Sequence, residues 1–127
     1  VAPTDAAPAG VREGGQCSAE DLALIAAAGG GNDDGSFPGM CAACGHDSWS
    51  IWSGFDSDVY AECLRDRVAV GAPCANCYAG MAEFASKNCK LACLLSWCSE
   101  SCLKCSARYE GELDACVGAA SPAADAC

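Results

Sequence analysis

Thirteen of the 127 residues are cysteine, and thiols at that density can ligate a metal, exchange electrons or cross-link the chain. C-x-x-C occurs three times, at Cys41/Cys44, Cys74/Cys77 and Cys102/Cys105. Zinc ribbons use two well-separated knuckles and little other cysteine. Here Cys63, Cys89, Cys93, Cys98 and Cys116 lie between or beside the knuckles at helical spacings. No C-x-C run marks a thiolate cluster, and a lone His46 adds little mixed-ligand chemistry. A thioredoxin-type site needs its C-x-x-C at a helix start after a strand, within a βαβ unit that tunes the thiolate. No such unit is legible. Haem attachment fails too, because Gly45 and not a histidine follows Cys44. Structural disulfides are the expected use, and they imply an oxidising compartment. An odd count leaves one cysteine over. Cys127 is the expected odd one, since a frayed terminus seldom meets a fixed partner.

The remaining polar groups suggest little chemistry. Asn32-Asp33-Asp34-Gly35 and Asp56-Ser57-Asp58 offer oxygen ligands of the kind calcium takes. Neither has the spaced loop and terminal Glu of a high-affinity site, so a turn and a helix cap explain them. Gly29-Gly30-Gly31 follows a helix instead of preceding one, the wrong order for cradling phosphate. There is no Ser-His-Asp frame and no recognisable pair of carboxylates, so no catalytic, cofactor or metal residue is expected and the chain does not read as an enzyme. His46 reads as a solvent-facing loop residue. Trp49, Ile51, Trp52 and Phe55 are the main concentration of large apolar side chains. They could fill a core; as aromatics in a loop they are equally suited to an interface with a protein partner or a pigment.

The elements that must position these residues are helical. Leu, Ile, Val and Phe together number 19, below the roughly 20% at which a chain builds a sufficient core unaided, so cross-links must offset the ordering entropy. Residues 1–16, rich in Ala, Pro and Gly, read as an extended arm. Ser18 caps a short helix with Asp21 in capping-box position, and the triple glycine ends it. Cys17, just before the cap, is placed to anchor that helix to the body. Residues 29–57 read as a long irregular, cross-linked segment. Asp56 or Ser57 caps a second short helix over about 58–68, with Phe55 stapled on Tyr60.

Two longer helices follow, over about 74–97 and 99–117. The first carries Cys74, Cys77, Tyr78, Met81, Phe84, Ala85, Cys89, Ala92 and Cys93, which recur at three- and four-residue steps, with a break indicated near Asn88. Ser99 caps the second, whose inward face is Cys102, Cys105, Tyr109, Leu113 and Cys116. A tight turn between them makes an antiparallel hairpin. Counted from Trp97, Cys93 lies four residues back and Cys102 five forward, and Cys89 and Cys105 both lie eight away. Cys77 lies twenty back and Cys116 nineteen forward. At a rise of about 1.5 Å per residue, these offsets suit disulfides Cys93–Cys102, Cys89–Cys105 and Cys116 to Cys77 or Cys74. A register centred near Leu95 would instead give Cys89–Cys102 and Cys93–Cys98, and would leave Cys105 unmatched. The expected organisation is an arm (1–16), a stapled helical domain (17–118) and a C-terminal tail (119–127): a small, mainly α, disulfide-rich fold.

The net charge of −10 repels phosphate backbones and anionic lipid, which argues against nucleic acid as a partner. The richest apolar run, Leu91 to Trp97, is far too short to span a membrane. The start Val-Ala-Pro-Thr, without Met, reads as a processed chain whose targeting segment has been removed.

Residues 74–118, with Cys74-Ala-Asn-Cys77, Asn88-Cys89-Lys-Leu-Ala-Cys93, Cys98-Ser-Glu-Ser-Cys102-Leu-Lys-Cys105 and Cys116-Val-Gly118, resemble cysteine-rich helical modules of secreted and plastid-lumen proteins of algae with complex plastids. The resemblance carries no catalytic residues. It implies a small accessory protein such as an extrinsic subunit of a photosystem, located in the thylakoid lumen or outside the cell. The expected function is therefore a non-catalytic accessory subunit contacting protein partners through the arm and the aromatic loop. An independent secreted effector, pheromone or inhibitor is the alternative, and a metal- or calcium-binding protein the third.

Overall fold

The computed structural model describes residues 14–127. Helix α1 (Ala19–Ala28) begins on Ser18, whose hydroxyl accepts the Asp21 amide while the Asp21 carboxylate accepts the Ser18 amide, both sides of a capping box. Helix α2 (Phe37–Asp47) is capped by Ser36. A two-stranded antiparallel ribbon follows, β1 (Trp49–Ser50) against β2 (Gly54–Phe55), with Trp49 opposite Phe55. Helix α3 (Ser57–Val68) starts on the Asp56 carboxylate, which accepts the amides of Asp58 and Val59. Helix α4 (Ala72–Asn88) has Pro73 in its first turn, where the missing N–H costs nothing. Helix α5 (Glu100–Ser106) is capped by Ser99; a 3₁₀ turn (Ala107–Tyr109) leads into α6 (Glu110–Val117), which stops at Gly118 with φ of 93°. The fold is mainly α and disulfide-rich.

The core is small and built largely from aromatics and cysteine. Tyr60, Tyr78, Phe37, Leu64, Val70, Val117, Cys44 and Cys74 are almost wholly out of water. The first half of α4 runs through the middle of this group and packs on α3 and α6. Phe37 meets Tyr78 edge-on at 4.8 Å between ring centroids. Three disulfides stitch the centre: Cys17–Cys74 ties α1 to α4, Cys44–Cys63 ties α2 to α3, and Cys77–Cys116 ties α4 to α6. Asp21 adds a polar tie. Its buried carboxylate accepts the Gly71 amide at 2.9 Å, fixing α1 against the start of α4.

Residues 29–57 are not irregular: α2 occupies Phe37–Asp47. Pro and Gly ordinarily disfavour a helix, but Pro38 falls in the first turn, and Gly39 is needed because a side chain there would strike the Asp33 carbonyl. His46 is therefore in the last turn of α2, exposed beside Asp47. The first long helix ends at Asn88, not near residue 97, and residues 89–98 form turns. The second is broken by the 3₁₀ turn.

The C-terminal segment is a strap, not a loose tail. The Gly31 amide donates to the Ala123 carbonyl and the Asp125 amide donates back to Gly31. The Tyr78 and Ser121 hydroxyls lie 2.7 Å apart in a hydrogen bond, and Cys127 is bonded to Cys98. Cys127 is thus not the odd cysteine. The free thiol is Cys41, buried in the core beside Tyr60, where loss of water pushes its pKa up to about 12. Of the expected arm, residues 1–13 lie outside the described residues. Gln16 donates its amide to the Cys116 carbonyl at 2.7 Å.

Candidate docking face

The hairpin cysteines bond as the residue counting gives: Cys93–Cys102, Cys89–Cys105 and Cys77–Cys116. Cys74 turns instead to Cys17. The pairing holds although residues 89–98 are turns and only the other side, from Glu100, is helix α5. With Cys98–Cys127, three disulfides close on the segment 89–105.

Within that segment several backbone groups are bonded internally. The Cys93 amide donates to the Cys89 carbonyl, the Ser99 and Ser101 hydroxyls donate to the Ala92 carbonyl, and the Cys98 amide donates to the Ser96 hydroxyl. With cysteines and backbone turned inward, the leucines have only solvent to face. Leu91, Leu94 and Leu95 are 88%, 75% and 95% exposed.

The ribbon makes a second apolar tip. Phe55 points inward and is half-buried, its ring 5.9 Å from that of Tyr60. Phe55 is thus part of the packing under the ribbon, unlike the more exposed Ile51 and Trp52. Ile51 and Trp52, at the turn, are 77% and 93% exposed, and Trp49 is 42% exposed. The two tips adjoin: the Lys90 ammonium lies 5.7 Å from the centroid of the Trp49 ring, in cation–π range.

Sequence reasoning finds Trp49, Ile51 and Trp52 and misses Leu91, Leu94 and Leu95, which it absorbs into a helix. Leu91, Leu94 and Leu95 keep the i, i+3, i+4 spacing of a helical face, so their spacing alone does not reveal that α4 stops at Asn88. Monomeric proteins expose single apolar side chains freely, but adjoining large ones mark a contact surface.

Elsewhere the chemistry is sparse. Among the described residues, the group of possible metal ligands whose atoms converge is Cys17, Asp21 and Cys74. Its two sulfurs are bonded to each other and its carboxylate is occupied by the Ser18 and Gly71 amides. A shallow cleft between α1 and the strap is lined by Leu22, Ile25, Tyr78 and Pro122. Burial pushes the Tyr78 phenol well up from its ordinary value, so it stays protonated at neutral pH.

No protein-family model, curated protein or solved structure matches this chain. The six disulfides indicate an oxidising compartment, and no helix among the described residues is long and apolar enough to cross a membrane.

Proposed function

We propose that this protein is a non-catalytic accessory subunit that attaches through its double apolar tip to a larger, membrane-bound assembly. The observation that carries the reading is the fixed exposure of Ile51, Trp52, Leu91, Leu94 and Leu95. Three disulfides hold the segment that carries Leu91, Leu94 and Leu95, and Ile51 and Trp52 stand at the turn of the ribbon, so their exposure persists until something covers them. Burying each would be worth about 1.5–3 kcal/mol. The resemblance of residues 74–118 to plastid-lumen modules makes the lumenal side of a photosynthetic complex the setting to test. There, the Trp52 ring would be the natural contact for a protein partner or a pigment.

The test is native purification from the source in mild detergent, followed by identification of co-purifying chains. Recovery with a defined membrane complex supports the reading. Recovery only as a free monomer contradicts it and favours an independent secreted effector.

A further inference from the structure

The charge distribution indicates what covers the tip. Residues 87–108 hold four of the chain's seven basic residues, Lys87, Lys90, Lys104 and Arg108, against one of its seventeen acidic ones, Glu100. Lys87 is paired with Glu83 at 3.3 Å. Lys90 sits between the two apolar tips, over Trp49, and Arg108 lies over Phe84 behind the loop. Lys90, Lys104 and Arg108 are all exposed. The ribbon from Ser48 to Phe55 carries no charge. The acids flanking it are engaged, Asp56 in capping α3 and Asp47 at 3.8 Å from Arg67.

Exposed leucine and tryptophan side chains with a lysine set between them, on a segment where basic residues outnumber acidic ones, are the composition of a surface that enters the interface of an anionic bilayer. Shape points the same way. Trp52, in a turn, and Leu95, in a bend, are each exposed by more than nine-tenths. A folded partner would need a socket for each, whereas a lipid interface deforms around them. Charge outside the tip does not forbid this. At physiological salt a field is screened over about 8 Å, so the surface responds to the cations of the tip, while the acidic remainder orients the molecule with its body turned away.

Resting on the reading of the tip as an attachment face, we infer that it docks on an anionic membrane surface, with Trp52, Leu94 and Leu95 entering the interface and Lys90 and Lys104 meeting the headgroups. The experiment floats the oxidised full chain with vesicles of phosphatidylcholine alone and with phosphatidylglycerol added, and follows tryptophan emission. The expected result is flotation and a blue shift with the anionic vesicles, both reduced by salt. Flotation should weaken about tenfold or more in Leu94→Ser/Leu95→Ser and severalfold in Lys90→Glu, with circular dichroism unchanged. Absence of flotation on anionic vesicles overturns the proposal, as does flotation that the leucine double variant leaves intact. Should that variant detach the chain from its native complex while the wild type ignores vesicles, a protein socket covers the tip; the accessory reading then stands without the lipid one. Flotation by a chain that co-purifies with nothing supports lipid docking and removes the accessory reading.

Discussion

The two ends of α4 lie in opposite environments although disulfides hold both. At its start, Cys74 and Cys77 sit among Tyr60, Leu64, Tyr78 and Val117, where cross-links and burial act on the same residues. Beyond its end, Cys89, Cys93 and Cys98 hold a segment whose leucines stand in water. Leucine serves both regions, yet Leu64 and Leu113 stabilise the fold while Leu91, Leu94 and Leu95 contribute almost nothing to it. Disulfides let a chain with few large aliphatics leave some of them outside. A fold held by burial alone would have drawn them in.

Reduction should break both regions and is the largest effect expected. Loss of one native disulfide from a small domain costs about 2–5 kcal/mol, and six are present, so dithiothreitol should abolish the helical circular dichroism. Alkylation of the denatured, unreduced chain should label one cysteine, Cys41; labelling at many cysteines would defeat the cross-linked account.

Leu64→Ala should cost about 2–5 kcal/mol in a denaturant titration, because the packed site around it cannot collapse fully. Leu95→Ala should stay within about 0.5 kcal/mol of the wild type. Equal losses at the two positions would erase the contrast between core and tip.

Asp21→Ala tests the polar tie. Burial raises the Asp21 carboxyl pKa, but hydrogen bonds from the Gly71 and Ser18 amides and the Ser18 hydroxyl outweigh this and hold it below 3.8. A carboxyl lowered on folding adds stability that is full above its unfolded pKa and is lost as pH falls through the folded value. The variant should therefore be less stable by about 1–3 kcal/mol at neutral pH. The deficit should shrink below pH 3.8 in melts run across that range. A deficit independent of pH would assign Asp21 to packing alone.

Much of the construction is legible in the residues. Ser18 with Asp21, Asp56 and Ser99 announce helix starts by side-chain chemistry that acts within three residues, and the structure uses each. The face Cys102, Cys105, Leu113, Cys116 limits which cysteines can meet. Helix α2 is obscured because breakers are harmless in a first turn or where backbones touch, and only tertiary contacts reveal that. The strap is invisible because its partners are the backbone of Gly31 and the Tyr78 hydroxyl, remote in sequence. For the candidate site, the aromatic half is legible from composition. The leucine half is not, since exposure depends on where neighbouring elements stop.

Trp52 tests the separation of tip from core most directly. Melting of Trp52→Ala should match the wild type, while its recovery with the native assembly should fall sharply. A loss of about 3–5 kcal/mol, the cost of removing a buried tryptophan, or undiminished recovery with the assembly, would contradict the account.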